Sequence, residues 1–394
     1  MTNTLTNDTG RSTDIHTDND TALRELAAGV GREIAGHARR HDEDGTFVEE
    51  GLALVRDRGL LALAVPQELG GMGATLRQVT MVQRELAKYC GSTALATSMH
   101  QHVAAFVAWR HRRGLPGAEA TLRRIVADGI VLVSTGGADL TAPRGEAIKV
   151  DGGYRVSGRK IFASQSTHGT VLSTMFAYQD PDQGRRVLNV AVPIGADGVT
   201  VLGNWDTLGM RGTASNDILI EDVFVPEQAV LANRPWGMVD PPLQVILSIA
   251  MPIISGVYLG IAEGALSSAL ETAGARADRV LVQRQIGLME HRVQVADWAL
   301  AGASAVVGDD PEPSLETLRA VMIAKREVAL AGQEVCDRAM DVVGGQAFFK
   351  GHPVERAYRD VRAAKFHPFS PELTLAHTGS LALGLPVDEL ASVG

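Results

Sequence analysis

Asp151-Gly-Gly-Tyr-Arg-Val-Ser157 carries the reading that decides the fold. A turn signal runs straight into a short β-rich segment, and Asp-Gly-Gly is a strong hairpin dipeptide context. The same texture extends from about Ile130 to Val225. Short β-rich runs at Ile130–Val133, Gly153–Ser157, Val187–Val192, Val199–Leu202 and Ile218–Val225 alternate with turn residues, and Asp197-Gly198 predicts a second hairpin. Strands at roughly 10-residue spacing without intervening helices predict an antiparallel barrel or sandwich.

Outward from this block the chain is helical on both sides. Leu23, Leu26, Ala27, Val30 and Ile34 form one apolar stripe on a helix beginning after Asp20, and Val79, Val82, Leu86 and Tyr89 form another. Between them, Val65-Pro-Gln-Glu-Leu-Gly-Gly-Met-Gly-Ala74 reads as a loop. Beyond Pro241-Pro242, Val321, Val328, Val335 and Val342 recur every seven residues, a seam for packing helix on helix, and Gly344-Gly345 ends that helix. The boundaries that follow are a disordered tail over residues 1–20, an N-terminal helical domain over 21–129, a β domain over 130–235 and a helical domain over 236–394. The fold class is α+β, in the order α, β, α.

Composition narrows the partners. The 394 residues are 45% hydrophobic and 21% charged, with a net charge of −9, which excludes a disordered chain and any global cationic field for nucleic acid. Cys90 and Cys336 lie too far apart in sequence for a CxxC site. The N-terminal residues have no apolar h-region, and Pro242–Ala262, the most apolar run, is interrupted and reads as a buried helix. A cytoplasmic protein with no membrane partner is expected. There is no G-x-G-x-x-G after a strand, no P-loop, no G-x-S-x-G and no H-E-x-x-H. Ser157-Gly-Arg-Lys160 fits S-x-x-K without its companion motifs. His100 and His102, two residues apart, would diverge on a helix, so no metal site is expected.

Six stretches in order resemble the acyl-CoA dehydrogenase superfamily: Val65–Ala74, Gly158-Arg-Lys-Ile-Phe-Ala-Ser164, Leu208-Gly-Met-Arg-Gly-Thr213 with Ile220–Pro226, Tyr258–Ala262, Gly344-Gly345, and Val354-Glu-Arg-Ala-Tyr-Arg-Asp360. The resemblance implies an N-terminal helical domain, a central antiparallel β-barrel and a C-terminal four-helix bundle, assembled as a homotetramer. It also implies FAD between barrel and bundle. Ser164 stands where the family places a Thr or Ser at the flavin edge, beside Phe162; Ser134 and Thr135 could reach the flavin. Gly344, Gly345 and Arg284 match positions that meet the FAD nucleotide, with Asp341 replacing the family's Gln.

The family's base, a Glu that removes the proton α to a thioester carbonyl, has no counterpart here. Aligned from Arg359-Asp360, Pro368 occupies its position, His367 precedes it, and Glu372 falls on a flavin-side position. A sister branch of similar fold uses reduced flavin and oxygen to hydroxylate aromatic, sulfur or amine substrates, and there His367 could be an active-site imidazole that orients a proton or deprotonates a phenol or amine near neutral pH. Three functions remain open. One is a monooxygenase of a small metabolite, with FMN or FAD supplied reduced by a reductase. Another is a dehydrogenase of an acyl thioester on CoA or a carrier protein, with His367 or a displaced Glu372 as base and an electron-transfer partner. The last is a non-catalytic flavin- or acyl-binding protein. Phe348, Phe349, Phe366 and Phe369 could line a pocket or fill the core.

Overall fold

A computed structural model of the chain describes residues 10–137 and 139–387. Helix α1 spans Gly10–Asp44, starting before the expected Asp20 boundary. From Arg11 to Ala28 no Gly or Pro interrupts it, which is why the helix continues N-terminally. Residues 1–9 of the expected tail lie outside the described residues. The predicted stripe is real: Leu23, Ala27, Val30 and Ile34 are buried. Helix α3 (Leu76–Ala87) opens with a capping box between Thr75 and Gln78, and α4 (Gly91–Arg112) is buried along most of its length. Short helices α2 (Glu49–Asp57) and α5 (Ala118–Asp128) complete this part.

The middle of the chain forms one eight-stranded sheet, ordered β6-β7-β3-β2-β4-β5-β8, with β1 on β4. Its strands are β1 Leu132–Ser134, β2 Glu146–Val150, β3 Gly153–Ala163, β4 Val171–Asp180, β5 Gly184–Pro193, β6 Val199–Val201, β7 Asn216–Pro226 and β8 Val230–Pro235. The expectation of an antiparallel barrel needs correction here. β1 and β2 both pair parallel with β4, so the sheet is mixed, and no pairing joins the edge strands β6 and β8 among the described residues. The reason is local. β5 occupies one edge of β4 along its whole length, and β1 and β2, which end and begin at Ser134 and Glu146, share the other edge in succession. The predicted turn at Gly152 (φ 72°) does join β2 to β3 as a hairpin. Gly198 (φ 86°) turns the chain, but the strand after it pairs with β7 rather than β5, so the second hairpin is not formed.

Three long helices follow, α6 (Pro241–Ala273), α7 (Val280–Val307) and α8 (Leu315–Val343), then α9 (Pro353–Asp360) and α10 (Pro371–Ala382). Val321, Val328, Val335 and Val342 are all buried, as the heptad seam requires, and Gly344 (φ 76°) caps α8. Helix α6 is long and apolar enough to cross a bilayer, but 94% of its most apolar window is buried inside the fold. The two helical regions share one apolar core, while the sheet encloses a second. The segment between β6 and β7 is tied to the helices where Met210 N donates to the buried carboxylate of Asp360, and α9 is tied to α1 where Arg359 bridges Asp42 and Glu355.

Candidate active site

The loop that leaves β1 sets one wall of the site. Thr135 Oγ1 lies 2.7 Å from Thr174 Oγ1, and the Ser134 hydroxyl points at Met99 Sδ of α4 at 3.9 Å. Gly137 then meets the turn after α9: a Cβ there would sit 3.7 Å from Pro368 Cδ. Two buried ion pairs hold the loop. Lys160, with no exposed surface, donates to Asp139 Oδ2 at 3.1 Å and also to the carbonyls of Arg144 and Met175. Arg234 pairs with Asp240 at 2.7 Å and donates to the Leu140 carbonyl. Lys160 thus anchors the loop; the S-x-x-K spacing has no chemistry of its own.

The sheet rim supplies a hydroxyl chain. Ser164 Oγ lies 2.8 Å from Ser215 Oγ, which lies 2.7 Å from Thr213 Oγ1, which donates to the Met210 carbonyl. Ser164 is buried rather than solvated. Beside it Phe162 adopts a left-handed φ of 57° and is 56% exposed, with its ring edge-to-face on Trp205 at 5.9 Å. A bulky residue holds that conformation only where its surroundings impose it.

His367 is half-buried in the turn between α9 and α10. Its Nε2 is 2.7 Å from the hydroxyl of Tyr258, a buried residue of α6. Burial holds the Tyr258 phenol well above its usual range, so it stays protonated, and with no other acceptor among the described residues its O–H donates to Nε2. The proton of His367 is therefore on Nδ1, which has no partner among the described residues. Burial, aided by the charge of Lys325 and by His102, pushes the imidazole down to about 3. Of the two roles expected of His367, orienting a proton as a neutral imidazole is the one this shift favours over removing a proton as a base. Sequence reasoning missed Lys325. This buried lysine of α8 donates to the His367 carbonyl at 2.7 Å and to that of Phe369. Burial lowers its ammonium to about 8, and no carboxylate partners it. A lysine four residues after Val321, inside an apolar seam, was the available signal.

His102 donates its Nδ1–H to the Ser98 carbonyl at 3.1 Å, leaving the Nε2 lone pair, and burial pushes it down to about 4. His100 is structural: it bridges the Leu61 carbonyl and the Leu132 amide. Among the described residues no carboxylate contacts His367, His102 or Lys325.

The other predicted positions lie elsewhere. Glu372 is exposed in the first turn of α10 with no partner among the described residues, so it is not a displaced base in this conformation. Arg284 is exposed on α7, and Gly344 and Gly345 end α8 in open space. Asp341 is also exposed. Phe348, Phe349 and Phe366 are exposed, whereas Phe369 is core. No group of three potential metal ligands occurs among the described residues.

Comparison with known proteins matches three family models along the chain. Residues 17–111 match the acyl-CoA dehydrogenase N-terminal domain, 134–223 its middle domain and 252–371 its C-terminal domain. L-evernosamine nitrososynthase of a Micromonospora species is 30% identical over 386 residues, covering 92% of this chain and 90% of that protein. Cyclohex-1-ene-1-carbonyl-CoA dehydrogenase of Syntrophus aciditrophicus is 28% identical, covering 91% of this chain and 87% of that one. The crystal structure of KijD3 with FMN and dTDP-3-amino-2,3,6-trideoxy-4-keto-3-methyl-D-glucose superposes with a TM-score of 0.80 at 29% identity, covering 94% of this chain and 95% of that chain.

Proposed function

Because this chain belongs to the acyl-CoA dehydrogenase family, whose members are flavoenzymes, we propose that it is a flavin-dependent monooxygenase that oxidises the amino group of a nucleotide-linked sugar. One observation carries this reading. The wall around His367 offers neutral imidazoles and hydroxyls, with Pro368 where a carboxylate would remove an α-proton, and no acid in contact. The names of the nitrososynthase relatives, and the amino sugar in the KijD3 structure, point to the amine.

The residues present suit a flavin ring. Phe162 and Trp205 give an aromatic edge, and the Ser164 hydroxyl with Ser134 and Thr135 gives polar contacts at its margin. When bound and reduced, the flavin supplies two electrons, so that one atom of dioxygen enters the substrate nitrogen and the other leaves as water. The chain's own groups do the rest. The Nδ1–H of His367 would donate to an oxygen, and the Nε2 lone pair of His102 would accept an N–H of the free amine, orienting its nitrogen lone pair. A reductase would provide the flavin in reduced form. The exposed apolar side chains Val280, Leu281 and Trp298 on α7 support assembly of several copies.

The test supplies reduced flavin, oxygen and a dTDP-3-amino sugar to the full-length protein. A product carrying added oxygen on nitrogen is expected. Anaerobic bleaching of bound flavin by cyclohex-1-ene-1-carbonyl-CoA, with no oxygenated amine, would favour the dehydrogenase instead.

A further inference from the structure

We propose that Lys325 is a positioning residue for this site: it clasps the carbonyls of His367 and Phe369 and, together with the Tyr258 hydroxyl on Nε2, holds the imidazole with Nδ1–H left for the substrate. The inference rests on the monooxygenase reading and names the device that sets its hydrogen-bond donor.

The sequence places a charge where none is needed for packing. Lys325 lies on the core face of α8 between Val321 and Val328, and is only 4% exposed. A buried ammonium without a carboxylate partner is costly unless its protons are satisfied. Here two of the three are taken by carbonyls of a single turn, 42 and 44 residues away in sequence. Those are the carbonyls flanking Pro368. The turn is fixed from other sides as well. Phe369 is 1% exposed and meets the His377 ring edge-to-face at 5.2 Å, and Gly137 abuts Pro368. His367 itself is extended, with φ −72° and ψ 145°, so no helical hydrogen bonding holds its carbonyl.

The charged and titratable groups around the imidazole are few. His102 comes from α4, Tyr258 from α6 and Lys325 from α8. The β1–β2 loop presents Gly137, while its Asp139 is turned onto Lys160. Asp360 acts on Tyr258, where it favours the protonated phenol, and Lys365 is exposed over Phe366. Every one of these that reaches His367 disfavours an imidazolium. Losing Lys325 therefore does two things: it frees two carbonyls, and it lets the imidazole gain a proton more readily.

The experiment uses full-length, flavin-loaded protein with nitrogen-15 histidine, the His367 signals being assigned by their loss in His367→Gln. Wild type should show a neutral ring protonated on Nδ1 across the neutral range. Tyr258→Phe should give mixed tautomers. Lys325→Met should move the His367 ring signals at neutral pH and let the imidazole take its second proton at a higher pH than in wild type. It should also lower kcat at least about tenfold through misplacement of the ring. If Lys325→Met does not fold, Lys325→Gln, which can still donate to the turn, takes its place, and unmoved His367 signals in it overturn the proposal. Unmoved His367 signals in both variants overturn it too. Shifted signals in a protein that never oxygenates an amine would defeat the functional reading while leaving the positioning role intact. Amine oxygenation with unmoved signals would do the reverse.

Discussion

Removing the buried ammonium of Lys160 tests how the loop between β1 and β2 is held. In Lys160→Met the Asp139 carboxylate keeps its burial but loses its main cation; Arg144 Nε remains at 3.3 Å, from a largely exposed side chain. The Arg144 and Met175 carbonyls lose a donor, and Phe176 loses the ammonium 4.4 Å above its ring. Breaking one side of a buried pair costs about 4 kcal/mol. In Lys160→Met with Asp139→Leu the stranded charge is gone, while the two carbonyls and the Arg144 amide that had donated to Asp139 remain unpaired, at about 1 kcal/mol each. The double variant should therefore recover about 1 kcal/mol of the loss. Denaturant unfolding of the two variants measures the energies. Amide exchange across residues 132–145 should rise in Lys160→Met and fall back in the double variant. A single variant within about 1 kcal/mol of wild type, or a double variant worse than the single, would refute the clamp.

Other outcomes follow from the same geometry. Ser164→Ala removes the hydroxyl 2.8 Å from Ser215 and should cost about 1 kcal/mol of stability while slowing flavin reoxidation; unchanged flavin kinetics would count against its place at the rim. Burial holds His367 near 3 and His100 and His102 near 4, so the unfolded chain binds protons that the folded one refuses as pH falls below about 6.5. Asp360, its carboxyl pushed up to about 6 by burial, takes its proton in the folded state and offsets one of the three. Stability should then fall by roughly 2–3 kcal/mol per pH unit around pH 5, and a flat profile in thermal or denaturant unfolding would contradict the burial of these rings. Arg284 is exposed and makes no contact among the described residues. Arg284→Ala should leave stability within about 0.5 kcal/mol of wild type. A fall in flavin affinity, measured by titration, would support its implied nucleotide contact.

Much of the fold was legible because it rests on local signals. The Val321–Val342 seam, the stop at Gly344 and the turn at Gly152 each need only neighbouring residues to be read. The strands β2, β4 and β8 escaped. β4 is buried almost throughout and lacks alternation, and its parallel partners β1 and β2 share one of its edges in succession, which no local pattern encodes. The site divides the same way. Ser164 and His367 stood out through motif and register. Lys325 and Tyr258 act through contacts 42 and 109 residues away, so a lone lysine among valines was the whole of the visible trace.

Isotope-labelled dioxygen gives the most direct measurement of amine oxygenation. With reduced flavin and a dTDP-3-amino sugar, mass spectrometry of the product should find the heavy oxygen on the sugar nitrogen. Product without label, or a thioester desaturated in the absence of oxygen, would contradict it.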